Sequence, residues 1–213
     1  MRVLVVTAVA VERDAILRGL RGDSRFDVRF AGVGPIAAAA NTTAALATTE
    51  YDLVVSMGIA GGFVEQAVVG SIVVATEIVA ADLGAETPKG FLSLDELGFG
   101  FTRIGVEAIL AERVTEALRS AGFPVSAGPI LTVSTVTGTA ATAVTLAERV
   151  PGAVAEAMEG FGVASAAYYR SIPVMEIRAI SNPVGPRDRS AWRMKEALDA
   201  LEAASTILLE VLP

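Results

Sequence analysis

The 213-residue sequence contains no cysteine and no histidine. Disulfides, thiol nucleophiles, cysteine- or histidine-held zinc and every histidine-based triad are thereby excluded. Acid–base chemistry is left to carboxylates, Lys and Tyr. No apolar run approaches the roughly 18 residues that suggest a membrane span. Positive charge is scarce as well: 17 Lys and Arg stand against 24 Asp and Glu, a formal net charge of −7. A field of that sign argues against nucleic acid or an anionic membrane as a partner. The length favours one compact domain over residues 1–213, large enough to bury a core without staples.

What is present first looks like a decoy. Val3 to Val11 is apolar, and Ala8-Val9-Ala10 imitates a signal-peptidase site. Only Arg2 precedes the run, however, and Glu12-Arg13-Asp14 follows at once. The segment therefore reads as the first buried strand of a cytoplasmic protein, a compartment with which the missing cysteines agree.

Apolar runs of strand length alternate with helical periodicity. Strands are expected over 2–9, 26–31, 53–57, 71–81, 125–133, 154–158 and 173–181. Helices are expected over 12–20, 36–49, 106–120, 139–149, 160–169 and 191–209. Residues 82–105, rich in glycine and carrying Pro88, have no clear period and read as a functional loop or an insertion. The alternation predicts an α/β fold, a three-layer sandwich around a mixed, largely parallel sheet. In such folds chemistry collects just beyond the carboxyl ends of strands.

Several residues stand at those ends. Gly32-Val33-Gly34-Pro35-Ile36-Ala37 imitates a dinucleotide fingerprint, but the matching acid, Asp52, lies before its strand rather than after it, so a tight turn is the better reading. Gly58-Ile59-Ala60-Gly61-Gly62 reads as a glycine turn able to bring backbone N–H groups to a ligand. Glu12 follows the first strand, as an exposed first-turn acid or as a general base. In Glu156-Ala157-Met158-Glu159-Gly160, Glu159 can cap a helix or accept two hydrogen bonds from a sugar diol, with Met158 against the ring. Glu176 and Arg178 share one side of an interior strand, where burial demands pairing or a polar ligand. Asn182 ends that strand, after Ser181.

Together these segments resemble the nucleoside phosphorylase and nucleosidase superfamily, nearly end to end. Ala8–Glu12 is similar to its first loop, Ala60-Gly61-Gly62 to its glycine turn and Met158-Glu159 to its ribose-binding pair. Arg178-Ala179-Ile180-Ser181-Asn182 is similar to the segment bearing the purine-activating residue. Methylthioadenosine/adenosylhomocysteine nucleosidases normally carry Asp in the last place. Asn182, followed by Val184-Gly185 and Arg187-Asp188-Arg189, instead resembles a branch that hydrolyses a hypoxanthine nucleoside in an alternative menaquinone pathway.

That resemblance implies a nucleoside phosphorylase/hydrolase-like fold and a homodimer or higher homo-oligomer. It implies a purine nucleoside substrate and no metal or organic cofactor. It also implies roles. Glu159 holds the ribose 2′- and 3′-hydroxyls, Asn182 with Ser181 holds purine N7 and O6, Glu12 activates water and Arg178 orders the network. Ala60, Gly61, Val136 and Met158 line the pocket. An amide donates to O6 of a 6-oxopurine but cannot supply the acid that an adenine leaving group requires. The phosphate-holding glycine turn of phosphorylases is missing from Ala8–Glu12, and a carboxylate repels phosphate, so hydrolysis is expected. The substrate's aromatic carboxylate has Arg187, Arg189 and Lys89 as candidate partners, although surface charges explain these equally well. Trp192 either closes over the site or packs at the start of the last helix. The rival readings are a methylthioadenosine-type nucleosidase and a nucleoside-binding protein without turnover.

Overall fold

A computed structural model describes residues 1–213. In chain order its strands are β1 (Val3–Thr7), β2 (Phe26–Phe30), β3 (Leu53–Gly62), β4 (Ile72–Ala80), β5 (Gly84–Thr87), β6 (Gly90–Ser93), β7 (Arg103–Gly105), β8 (Val125–Thr132), β9 (Ala155–Ala157) and β10 (Val174–Pro183). Its helices are α1 (Ala10–Leu20), α2 (Pro35–Thr48), α3 (Leu94–Leu97), α4 (Ala108–Ser120), α5 (Ala140–Arg149), α6 (Gly160–Tyr168) and α7 (Met194–Val211). No helix is long and apolar enough to cross a membrane.

The main sheet is mixed. β2, β1 and β3 are parallel neighbours, and β3 continues to β10 in parallel and to β9 in antiparallel register. β10 then pairs with β4, β4 with β8 and β8 with β9. Five strands therefore close on themselves, and β1 and β2 extend from β3 as an open arm. Closure follows from the length of β3, whose ten residues pair with β10 along one edge and with β1 and then β9 along the other.

Helices cover both faces. Along β1, Val3 and Val5 join Ile16, Leu118 and Leu201 of α1, α4 and α7, while Leu4 and Val6 join Ala38, Leu46 and Val163 of α2 and α6. Successive side chains of a strand face opposite sides. Both sides are buried here, hence the unbroken apolar runs. α5 covers a smaller cluster around Leu131, Leu146 and Val184.

Residues 82–105 are ordered into the hairpin β5–β6, the one-turn helix α3 and β7, which pairs with β4. A larger difference concerns 58–62. These residues do not turn but extend β3, in register with Arg178 to Pro183 of β10. Their glycines serve close approach instead. A Cβ on Gly58 would lie 2.7 Å from both Arg178 Nη1 and Glu12 Oε1.

Candidate active site

Glu12 is the third residue of α1 and is only 2% exposed. One carboxylate oxygen folds back to accept the N–H groups of Ala8 (3.0 Å) and Val9 (3.2 Å), satisfying donors orphaned at the helix start. The other reaches across to the N–H of Ile59 at 2.9 Å. Burial pushes the Glu12 carboxyl above its ordinary value of 4.5, against the pull of the Ile59 N–H and the Arg178 guanidinium. The neighbouring Glu159 charge adds to the rise.

Glu159 precedes α6 and is 7% exposed. It accepts the N–H of Gly34 at 3.1 Å and that of Met158 at 3.3 Å. Gly34 caps α2 at φ +91° and ψ 159°, a region open essentially to glycine alone. Gly34 of the false dinucleotide fingerprint thus helps to fix a carboxylate distant in the chain.

Behind both acids lies a buried ion pair. Arg178, 1% exposed, donates from Nε to Glu176 Oε1 at 2.8 Å and from Nη2 to Ser56 Oγ at 3.1 Å. Its Nη1 stands 3.6 Å from Glu159 Oε2. Burial raises the Glu176 pKa, opposed by Arg178, and its Oε2 has no hydrogen-bond partner. Such a pair is held by mutual dependence, since removing either partner leaves an uncompensated buried charge.

At the end of β10 the register with β3 slips by one residue. Ile180 faces Ala60 and Asn182 faces Gly61, so Ser181 is the extra residue of a β-bulge. Bulges re-aim side chains, and here two consecutive residues, Ser181 and Asn182, face the same cavity. Ser181 Oγ donates to Asn182 Oδ1 at 2.7 Å, and Asn182 Nδ2 donates to the Pro183 carbonyl at 2.9 Å. The Pro183 carbonyl, which can only accept, therefore fixes which amide atom donates, leaving Oδ1 to the Ser181 hydroxyl and one Nδ2 hydrogen free.

These groups surround one cavity of about 310 Å³, near the lower end of the roughly 300–1,000 Å³ usual for small-molecule sites. Glu12, Ala60, Gly61, Val136, Met158, Glu159, Ser181 and Asn182, all singled out in the sequence, line it. Arg178 does not; it stands beneath the acids. Trp192 also lines the cavity, with the guanidiniums of Arg187 and Arg189 at 5.2 and 5.8 Å from its ring. Lys89 sits at the β5–β6 turn, away from the lining.

Two lining residues, Glu156 and Thr137, were given no role by the sequence reading. Glu156 is 5% exposed, and its oxygens accept the N–H and the hydroxyl of Thr137. The alternation of β9 could have pointed to it, because a charged residue between two alanines on an interior strand needs a partner. The lining holds three carboxylates and no Lys or Arg. Arg13 pairs with Asp14 at 2.9 Å and packs over the Phe30 ring, outside the cavity.

The arrangement is that of a nucleoside-cleaving protein of the phosphorylase superfamily. Residues 22–212 match that family, and the chain belongs to it. It is 52% identical to a futalosine hydrolase of Streptomyces coelicolor, the match covering 100% of this chain and 97% of the relative. A futalosine hydrolase of Acidothermus cellulolyticus is 47% identical, with 96% and 89% covered. The fold matches that of a Helicobacter pylori 5′-methylthioadenosine/S-adenosylhomocysteine nucleosidase, solved with butyl-thio-DADMe-Immucillin-A, at a TM-score of 0.85 and 16% identity over 100% and 97% of the two chains. A futalosine hydrolase mutant from the same species matches with the same score and identity over 100% of both.

Proposed function

We propose that the chain is a single-domain futalosine hydrolase, cleaving the N-glycosidic bond of futalosine with water and releasing hypoxanthine, a step of menaquinone biosynthesis. The observation that carries this reading is the meeting of Glu12, Glu159 and Asn182, from three separate strand ends, around one cavity. The 52% identity to a futalosine hydrolase over the full chain supports the choice of substrate.

Breaking the bond leaves positive charge on the ribose and negative charge on the departing base. Glu159, anchored by the Gly34 and Met158 N–H groups, accepts the 2′- and 3′-hydroxyls, and its charge favours the oxocarbenium-like transition state. As the bond breaks, Asn182 donates from Nδ2 to O6, onto which the departing 6-oxopurine spreads its negative charge. Its Oδ1 accepts the N7–H once the base has taken a proton from solvent, so the base departs without a strong acid. Glu12, held by three N–H groups, orients and deprotonates the attacking water. Arg178 keeps Glu12 and Glu159 from repelling one another apart. Ala60, Gly61, Val136 and Met158 form the walls. A lining rich in carboxylate and free of Lys and Arg suits water as the nucleophile and opposes phosphate.

The active form is a cytoplasmic homodimer or larger homo-oligomer, as superfamily membership suggests; light scattering on the purified protein tests it. The activity is tested by incubating the protein with futalosine, inosine and methylthioadenosine, with and without phosphate, and separating the released bases. Phosphate-independent hypoxanthine from futalosine is the expected result. Adenine release from methylthioadenosine, or a phosphate requirement, overturns it.

A further inference from the structure

We propose that Glu156 is the specificity-determining residue for the base, accepting the N1–H of a 6-oxopurine. The inference rests on the hydrolase reading above and deepens it by naming the edge of the purine that is read.

Asn182, Gly61 and Glu156 form one row across three strands: Asn182 pairs with Gly61 in β3, and Gly61 pairs with Glu156 in β9. Neighbouring strands lie about 4.8 Å apart, which sets the Cα atoms of the outer two roughly 10 Å from each other. All three residues line the cavity. Gly61 places no side chain between the outer two; a Cβ there would stand 3.0 Å from Val184 Cγ2 and 3.3 Å from Asn182 Nδ2. The row is thus a slot floored by backbone, with an amide at one end and a carboxylate at the other.

A purine presents N7, O6 and N1 in succession along one edge. With N7 and O6 at Asn182, the next atom along that edge is N1. In a 6-oxopurine N1 carries a hydrogen, whereas in adenine it presents a lone pair. An amide serves an oxo or an amino group nearly as well, because it holds both a donor and an acceptor. A carboxylate acceptor rejects the N1 lone pair and welcomes N1–H.

Glu156 is built for that acceptance. Its two oxygens accept the N–H and the hydroxyl of Thr137, and each keeps a lone pair for a further donor. No guanidinium or ammonium neutralises it: burial raises its pKa and the charge of Asp82 adds to the rise, opposed by the two Thr137 hydrogen bonds alone. Stapling Thr137 alone needs only a neutral acceptor. A buried, cation-free carboxylate facing the cavity is costly unless a ligand donor completes it.

The test uses wild type, Glu156→Gln and Thr137→Val. Substrates are futalosine and its N1-methyl derivative; the free bases hypoxanthine and 1-methylhypoxanthine are titrated by calorimetry. Wild type should prefer the N1–H substrate by at least about tenfold, the value of a hydrogen bond to a charged group. Glu156→Gln should lose about 10- to 100-fold in kcat/KM on futalosine, chiefly through KM, and much less on the N1-methyl derivative, so that the preference collapses. Thr137→Val keeps the carboxylate and should keep the preference. Equal losses on both substrates in Glu156→Gln, or wild-type indifference to N1 methylation, overturn the assignment. Should wild type release no base from futalosine, the hydrolase reading falls, yet the free bases still decide on Glu156. Tighter binding of hypoxanthine to wild type but not to Glu156→Gln upholds it, and equal binding overturns it.

Discussion

Gly34 donates its backbone N–H to Oε1 of Glu159, 125 positions further along the chain, at 3.1 Å. The bond exists because Gly34 adopts φ +91° and ψ 159°. Gly34→Ala has open space for its methyl group, so the substitution acts through the backbone alone. The expected loss of stability is about 1–3 kcal/mol, read by urea unfolding. Turning the 33–34 peptide also withdraws the donor from Glu159, and kcat/KM should fall while the fold persists. Full activity in a destabilised variant would show that Glu159 does not depend on this donor.

Gly58 offers a sharper contrast. A methyl group there would press on Arg178 Nη1 and Glu12 Oε1, both 2.7 Å away and both held by other partners. Overpacking of this kind costs about 1–3 kcal/mol, and it displaces two site groups at once. Gly58→Ala should therefore lose stability together with most of its activity. Gly138→Ala, where nothing lies within 4 Å and φ is not positive, should be near neutral in both assays.

Asn182 and Ser181 form one donor–acceptor unit. Losing an oriented donor at a leaving group costs on the order of 100-fold in kcat, so Asn182→Ala should fall by that amount on futalosine. Asn182→Asp supplies an acid and should shift preference towards adenine nucleosides. Ser181→Ala leaves the amide held by the Pro183 carbonyl alone; it should erode the preference for the oxo base more than the overall rate. An unchanged base preference in Asn182→Asp counts against the assignment of this residue.

How much of this was legible in the sequence depended on range. The two-faced strands were readable because Val3 and Val5, and Leu4 and Val6, must satisfy separate cores. Glu12, Glu159 and Asn182 were readable because each follows an apolar strand. The continuation of β3 through Gly58–Gly62 was not, since glycine ordinarily marks a turn. These glycines make room for Glu12, Arg178 and Asn182 from other segments, which no local window contains. The β5–β6 hairpin was hidden for the opposite reason. Its four-residue strands bury no residue fully and carry no apolar alternation to read. The role of Glu156 depends on a row of three strands that only the closed sheet assembles.

The protonation of Glu12 gives the last prediction. Burial holds its folded-state pKa above 4.5, so it is protonated, and useless as a base, at a pH where an exposed glutamate is already ionised. The kcat/KM profile should consequently fall on its acid side with an apparent pKa above 4.5, since this parameter reports the free enzyme's essential groups. The charges acting on Glu12 are Arg178, which lowers its pKa, and Glu159, which raises it. Glu159→Gln removes the like charge and should move the acid limb to lower pH, even as kcat drops. Glu12→Gln should abolish the limb and reduce kcat by about 10²- to 10⁴-fold, the usual worth of a general base. A limb that survives in Glu12→Gln, or that stays in place in Glu159→Gln, would assign the water-activating proton transfer to another group.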